Sequence, residues 1–509
     1  MKNFNFSMDK TINKYHRKLK KFKNNNILKQ IINVSDEKKL DVYLVGGALR
    51  DLFIKQTDSK KAIDWDFTVK SGALELAKQV ARKLKAHYVV LAENHKTARV
   101  IHHYNQQEFR LDFTDFRAKT LRGDLKKRDY TINSLYADVR DLFYGRAEIR
   151  DCFNAIADIK SRKLRIISKD NFKDDPLRIL RGYAFCCQWG FCFDQPTAML
   201  LKNNVLRIAE VSPERVSEEL AKIFTAKSSY KHVLKMDSFG VLDVIFPEIK
   251  ALRGVDQGLF HHLDVWDHSL VCLDQLEKLL RVLPEKIPAE FAEKVKVYLA
   301  QELCGNRSRL WLLKLACLLH DIAKPQTKFV GEDQRVHFYT HEKQGSLIVR
   351  KIGKRLKLSR KEILILSDMV LYHLRAGQLV NSRPSKRSKF RFMRDTMDSA
   401  VLILLLTIAD RWAMRGSLSK GENFVFHEDE LFKMIIEFFQ QQNIINKKKK
   451  LLNGDELMIL LGIAKGPIVG KILTQVEEAQ AIKTIRNKQQ AENLAQQIYS
   501  QLRHELDGG

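Results

Sequence analysis

Apolar and polar positions alternate in short runs through the first part of the chain. "DVYLVG" (41–46), "IDWDFTV" (63–69), "HYVVLA" (87–92), "ARVIHHY" (98–104) and "EFRLDFTDF" (108–116) have strand character. Between them, "ALELAKQVARKLKA" (73–86) spaces its apolar residues as a helix does. After about residue 156 strand signals become few. "DPLRILRGYAFCCQWGF" (175–191) reads as a helix with Pro176 in its opening turn, and "SPERVSEELAKIF" (212–224) as one with Ser212 as N-cap ahead of Pro213. "VIFPEI" (244–249) closes that stretch, and no solenoid-type repeat is present. The pattern predicts several domains: an α+β head followed by all-helical segments. The expected divisions are an N-terminal arm over 1–35, the head over 36–155, a helical neck over 156–250, a His-rich helical domain over 251–420 and a helical tail over 421–509.

Charge changes this picture more than composition does. The hydrophobic fraction, 45%, is ordinary, but 89 Lys and Arg against 61 Asp and Glu leave a net charge of +28. Such an excess favours a polyanionic partner. A membrane is the weaker candidate, because the longest apolar run, "AVLILLLTIA" (400–409), is about half of a spanning helix and the N-terminus is basic and polar. Residues 1–35 hold nine Lys/Arg and one acid, which reads as a flexible basic arm or marginal helix. "RPSKRSKFRFMR" (383–394) and "KKKK" (447–450) read as phosphate-tracking surfaces. The seven cysteines lack metal-type spacing, the pattern of reduced thiols in a cytoplasmic protein.

Chemistry concentrates first around "LVGGALRD" (44–51) and "DWDF" (64–67). On a strand, residues i and i+2 share a face, so Asp64 and Asp66 project together. Adjacent carboxylates repel, and a divalent cation relieves the conflict, Mg²⁺ being the usual choice beside phosphate. The Gly46–Gly47 turn lets backbone approach a phosphate, Arg50 can contact it, and Asp112 adds a third carboxylate from a later strand. Three carboxylates can hold two metals for an in-line displacement.

These residues, in this order, resemble the head motif of the class II tRNA nucleotidyltransferase (CCA-adding enzyme) and bacterial poly(A) polymerase family, which has a polymerase-β-like nucleotidyltransferase fold. "LKKRDYTINSLYAD" (125–138) is similar to that family's R-R-D-x-T-x-N segment, "FKDDPLRILRGYAF" (172–185) to its E-D-x-x-R segment, and "SPERVSEELAKIF" to a later helix of its neck. The resemblance implies catalytic roles for Asp64, Asp66 and Asp112, the first two as Mg²⁺ ligands. It implies nucleotide-binding roles for Gly46, Gly47, Arg50, Arg128, Asp129, Asn133, Asp175, Arg178 and Arg181. Asp175 and Arg178 would offer a hydrogen-bonding edge by which protein, not template, selects C or A. The partners implied are the tRNA acceptor arm, CTP and ATP, with no membrane. Three departures stand out: Asp174 where Glu is usual, Lys127 for the first Arg of R-R-D, and Ala184 where Arg is common. The stretch between Asp112 and Arg128 is also short, a feature associated in that family with enzymes that stop after CC.

A second set follows in "HHLDVWDHSL" (261–270), "HDIAKP" (320–325), "FYTHEKQG" (338–345), "MVLYHLRAG" (369–377) and "TIADRWAMRG" (407–416). A buried His-Asp pair is expensive without a metal or another partner, and the donor set suits transition metals. The pattern is similar to the HD-domain phosphohydrolase superfamily. That implies a divalent metal on His268, His320, Asp321 and Asp410, a second site completed by His341 and His373, and Lys324 placed to meet a phosphate. The combined expectation is a template-independent tRNA nucleotidyltransferase with a possible phosphohydrolase domain. The alternatives are a CC-adding enzyme, a poly(A) polymerase, and an HD hydrolase with an inactive RNA-binding head.

Overall fold

The computed structural model describes residues 18–54, 62–258, 261–381, 384–414, 428–445 and 450–507. The expected boundary at 420 and three of the four lysines at 447–450 lie outside them. Contacts divide the chain into two compact units, Met1–Arg215 with Lys235–Ile245, and Val216–Leu234 with Phe246–Gly509. The expected neck is therefore shared between units, because periodicity reports helices but not which helices pack together.

In the first unit, α1 (Asn26–Glu37) precedes β1 (Val42–Val45), β2 (Ala62–Val69), α2 (Ala73–Leu84), β3 (His87–Ala92), β4 (Thr97–Tyr104), β5 (Gln107–Asp115), α3 (Leu121–Lys126) and β6 (Tyr136–Asp138). The strands form one six-stranded sheet in the order β3-β4-β5-β2-β1-β6. Only the β2–β5 pairing is parallel, and it sets Asp66 opposite Asp112 and Asp64 opposite Arg110. Alternation along β2 turns Trp65, Phe67 and Val69 into the core, and Phe67 stacks on Phe113 at 5.0 Å. Beyond the sheet, α4 (Arg178–Trp189) and the start of α5 (Pro213–Thr225) carry the later motifs. A two-residue parallel pairing, Lys163–Leu164 with Cys192–Phe193, interrupts the expected all-helical neck.

The expected arm needs correction. From residue 18 it belongs to the head: α1 buries Ile27, Leu28, Ile31, Ile32 and Val34 against α2, and Asn25 caps it by accepting from Ile27 N and Leu28 N. Phe22 is fully buried with its ring 5.3 Å from that of Trp65. The abundance of lysine hid an amphipathic helix whose apolar face packs on α2, while Phe22 ahead of it covers Trp65 of β2.

The second unit is built on α6 (Val265–Lys286), α7 (Arg309–Leu319), a hairpin of β7 (Lys328–Val330) and β8 (Val336–Phe338), α8 (His341–Arg355), α9 (Arg360–Asn381), α10 (Lys386–Thr396) and α11 (Ala400–Ala413). This hairpin and another, Glu302–Cys304 with Arg307–Ser308, depart from the all-helical expectation. By length and composition α9 could cross a membrane, yet it packs against α8 and α11 as a core helix. After α12 (Glu428–Ile445), the helices α13 (Gly454–Leu461), α14 (Pro467–Ala481) and α15 (Lys488–Asp507) close on their own core of Leu457, Ile472, Val476 and Ala495.

The basic segment 383–394 also reads differently. On α10, Arg387 and Arg391 reach the buried Glu478 of α14 at 2.6 and 2.9 Å, and Lys389 lies 3.1 Å from Glu430. Much of this charge holds the tail in place instead of facing a ligand. Lys450 likewise pairs with Glu477 at 2.6 Å.

Replacing Ile31, which is fully buried, by Ala should destabilise the head by about 2–5 kcal/mol. A loose arm would leave the thermal transition of the head unmoved.

Candidate active site and metal centre

The first site forms where β1 ends against β2. Val45 pairs with Asp66, so the turn at Gly46 starts beside that carboxylate. Gly46 has φ +75°, and a Cβ there would sit 2.8 Å from Arg128 Nη1 and 3.2 Å from Asp66 Oδ2. No other residue fits that position without displacing both groups. Asp64 is exposed at the rim and Asp66 lies deeper. Burial raises the Asp66 pKa, Asp112 and Asp64 add to the rise, and Arg128 opposes it. Arg128 is itself lowered by burial, and its Nε has no hydrogen-bond acceptor among the described residues. A buried guanidinium with an unmet donor beside a glycine turn fits an anionic ligand.

Asp112 has a partner that sequence reasoning missed. Arg99, directly opposite on β4, grips it with Nε–Oδ1 at 2.7 Å and Nη2–Oδ2 at 2.8 Å. Hydrogen bonding to Asp112 raises the pKa of Arg99. The three carboxylates are thus flanked by two guanidinium groups. Their all-oxygen donor set on one face suits Mg²⁺.

Around this cluster the other expected residues form a connected wall. Asp129 Oδ1 accepts from Tyr130 N at 2.7 Å and Asn133 Nδ2 at 2.9 Å, while Oδ2 lies 3.0 Å from Arg181. Burial would raise Asp129, but Arg181, Asn133 and the Tyr130 N–H hold it below the usual carboxylate range. Arg50, expected beside the triphosphate, is turned inward. It donates to Asn133 Oδ1 at 2.7 Å and to Asp51 at 2.7 Å, and lies 4.0 Å from the Trp189 ring centroid. Gly47 lies beside its guanidinium. Arg178 donates to the carbonyls of Lys127 at 2.7 Å and Asn171 at 3.0 Å, tying two motif segments together. Asp175 pairs with Arg215 of α5 at 2.9 Å, a contact sequence reasoning did not single out. The unusual Lys127 and Asp174 meet each other at 3.1 Å.

The second centre lies among α6, α7, α8, α9 and α11. His268, His320 and Asp410 form one group of potential ligands, and Asp321, His341 and His373 another. Asp410 Oδ1 is 2.8 Å from His268 Nε2 and 3.6 Å from His320 Nε2. Asp321 lies between the groups, with Oδ2 3.1 Å from His320 Nε2 and Oδ1 3.4 and 3.7 Å from the Nε2 atoms of His341 and His373. Asp321 thus stands in the expected set with His320 through one oxygen and faces His341 and His373 through the other.

Backbone carbonyls set the histidine tautomers. His320, His341 and His373 each place Nδ1 on the carbonyl three residues earlier, of Cys317 at 3.0 Å, Phe338 at 2.6 Å and Val370 at 2.7 Å. Donation there leaves Nε2 as a lone pair aimed inward. His320 Nε2 is buried without a hydrogen bond of good geometry while facing two carboxylates. A divalent transition metal resolves that opposition of acceptors, so the residues present fit one. Without it, burial would lower His320, yet Asp321 and Asp410 hold it well above its usual value. Burial, reinforced by His320 and His341, pushes His373 down to about 3. Lys324 is already engaged, 2.7 Å from Asp321 and 2.6 Å from Gln257. His261, whose ring lies 4.6 Å from that of His268, was also missed. Its signal was its place in "HHLDVWDH".

Three regions of the chain match known protein families. The Poly A polymerase head domain family matches residues 42–165, the probable RNA and SrmB-binding site of polymerase A matches 190–252, and the HD domain matches 265–415. An A-adding tRNA nucleotidyltransferase of Deinococcus radiodurans is 29% identical over 74% of this chain and 79% of its own. A CC-adding tRNA nucleotidyltransferase of Thermus thermophilus is 28% identical over 89% of this chain and 92% of its own. The solved structure of the Thermotoga maritima CCA-adding enzyme complexed with tRNA superposes with a TM-score of 0.59 at 22% identity, covering 94% of this chain and 95% of that one.

Two outcomes test the centres. Arg99→Gln should leave the carboxylates without a counter-charge, lowering the melting temperature in EDTA and restoring it with Mg²⁺. Equal loss in both conditions would show a purely structural arginine. His320→Ala should weaken transition-metal affinity at the first trio by more than about 100-fold in a metal titration, beyond the loss typical of an outer-sphere partner.

Proposed function

The chain belongs to the class II tRNA nucleotidyltransferase and bacterial poly(A) polymerase family, with an HD domain, and from that premise we propose that it adds C and A residues, CCA or part of it, to the 3′ end of tRNA. CTP and ATP are the donors, pyrophosphate is released, and the work takes place in the cytoplasm. One observation carries the reading: Asp66 and Asp112 stand side by side across β2 and β5, with Asp64 on the same face. Mg²⁺ held by these carboxylates would neutralise the triphosphate and activate the attacking hydroxyl. The remaining work belongs to the chain. Gly46 keeps the floor open, and Arg128 offers a buried cation beside Asp66. The Asp129–Asn133–Arg181 network fixes the wall against which a nucleotide would sit. The Asp175 carboxylate and the remaining N–H groups of Arg178 would offer the base edge, beside the contacts they already make with Arg215 and with the carbonyls of Lys127 and Asn171. Grip on the acceptor arm of tRNA follows from the excess positive charge and needs no base readout.

A stop after CC is the second reading. Only residues 116–120 separate β5 from α3, and Arg117 fastens that connection by donating through Nε to Asp124 at 2.9 Å. For the HD domain, the reading is hydrolysis of phosphate esters at the paired His/Asp trios.

Incubation with tRNA lacking CCA, Mg²⁺ and labelled CTP or ATP, singly and together, should give ordered additions resolved at single-nucleotide length. Two additions mark a CC-adding enzyme, three a CCA-adding one, and long A tails a poly(A) polymerase. Asp64→Ala should lower addition by more than about 100-fold. Wild-type activity in that variant would exclude this site. For the HD domain, retention of Mn²⁺, Co²⁺ or Ni²⁺ and cleavage of 2′,3′-cyclic AMP or a phosphomonoester are expected, and absence of both would exclude the hydrolase reading.

A further inference from the structure

The head sheet has one closed face and one open face. Residues directly opposite each other on paired strands share a face, so the register fixes both. Trp65, Leu111 and Val100 form one row across β2, β5 and β4, and all three are buried. On the other face, Asp112, Arg99 and Val89 continue the row of Asp66. Arg110, Ile101 and His87 continue that of Asp64. This second face is wet: Val89 is 44% exposed and the Arg110 side chain 35% exposed. It begins at the carboxylates and runs outward to β3, the edge of the sheet.

The carboxylates divide the cationic groups of the head into two flanks. Toward β1 lie the Gly46 turn and Arg128, buried beside Asp66. Toward β3 lie Arg99 and Arg110. Arg99 is spent on Asp112 through two bonds. Arg110 donates through Nε to Glu108 at 2.7 Å, and its other guanidinium nitrogens have no hydrogen-bond partner among the described residues. A partly exposed ion pair of that kind holds weakly and yields to a better acceptor. The Arg110 backbone stands directly across from Asp64, adjacent strands being about 5 Å apart. In-line displacement requires the attacking hydroxyl and the leaving pyrophosphate on opposite sides of the reacting phosphorus. A triphosphate drawn to the glycine turn and Arg128 therefore leaves the open flank to the hydroxyl.

We propose that the open face of β5, β4 and β3 receives the 3′-terminal RNA strand to be extended, with Arg110 on a backbone phosphate beside the terminal hydroxyl and Ile101 and Val89 beneath its sugars and bases. The place of the hydroxyl rests on the nucleotidyl-transfer reading above, and the RNA contact does not. A guanidinium matches phosphate geometry, and apolar side chains between cationic groups suit a nucleotide strand better than a bare triphosphate. Arg110 is then a positioning residue: it holds the strand and leaves the chemistry to the carboxylates.

The test uses the full-length protein with Mg²⁺, CTP and tRNA lacking CCA. Arg110→Gln should raise KM for tRNA about tenfold, the loss expected for one charge-assisted hydrogen bond. KM for CTP should stay at the wild-type value, which also shows that the variant folds. The slope of log affinity for tRNA against log salt should become shallower by about 0.7, the share of one single-stranded phosphate. Arg110→Lys should keep the wild-type slope. Val89→Glu, a change at an exposed position, should likewise raise KM for tRNA and not for CTP. Wild-type KM for tRNA in Arg110→Gln or Val89→Glu, an unaltered salt slope in Arg110→Gln, or an equal rise in KM for CTP would overturn the proposal. If wild type transfers no nucleotide, the function proposed above fails, and direct titration with fluorescent tRNA lacking CCA decides the surface. A shallower salt slope in Arg110→Gln then supports it, and equal slopes overturn it.

Discussion

The parallel pairing of β2 with β5 sets the constraint that the head must satisfy. It places Asp66 beside Asp112, with Asp64 one step along on the same face. Like charges this close oppose each other, and burial of Asp66 adds to the penalty. The surroundings answer it from several directions. Arg99 neutralises Asp112 across the β4 pairing, and Arg128 lies against Asp66 over a residue that must be glycine. Beneath the strand, Trp65 and Phe67 pack into an aromatic layer that Phe22 completes. Hydrophobic burial on one face of β2 thereby stabilises electrostatic stress on the other. The same stress gives a divalent cation its binding energy.

Much of the head was legible because its signals are local. Strand alternation, the GG turn and D-x-D spacing all act within a few residues. What escaped depends on register between distant segments. Arg99 is the clearest instance. The β4–β5 hairpin turns at Asn105 and Gln106, both with positive φ, so Tyr104 pairs with Gln107 and Arg99 falls opposite Asp112. Counting back from a two-residue turn would have found it, but Asn-Gln is a weaker turn signal than Asn-Gly. Lys127 and Asp174 looked like independent departures from a family pattern until the fold set them 3.1 Å apart. An exposed pair of this kind contributes little to stability. Its two residues are explained by each other, and neither argues for a changed active site.

Charge was read less well than pattern, for a physical reason. Net charge speaks to partners and solubility, whereas the partner of a given lysine or arginine depends on tertiary packing. Residues 1–35 read as a basic arm or marginal helix, yet from residue 26 they form a helix that buries Ile27, Leu28, Ile31, Ile32 and Val34. Arg387 and Arg391 seemed a surface for phosphate and instead surround Glu478, which is 3% exposed. Removing that carboxylate would leave clustered cations, and removing an arginine would leave a buried acid poorly compensated. The excess of +28 still points to a polyanion. It must act through groups other than those the helix α10 has already spent on the tail.

The HD centre was legible as a set of residues. The resemblance places Asp321 with His320, and the fold keeps one Asp321 oxygen there while the other faces His341. The carbonyls of Cys317, Phe338 and Val370, each three residues before its histidine, choose which ring nitrogen faces inward. No side-chain motif records that choice, because it is made by backbone geometry. Its consequence is a nitrogen-rich donor set, in contrast to the oxygen-only set of Asp64, Asp66 and Asp112. Imidazole favours transition metals, and clustered carboxylates beside a triphosphate favour Mg²⁺. The two donor sets thus favour different cations, separated by ligand type before any difference in metal supply is considered.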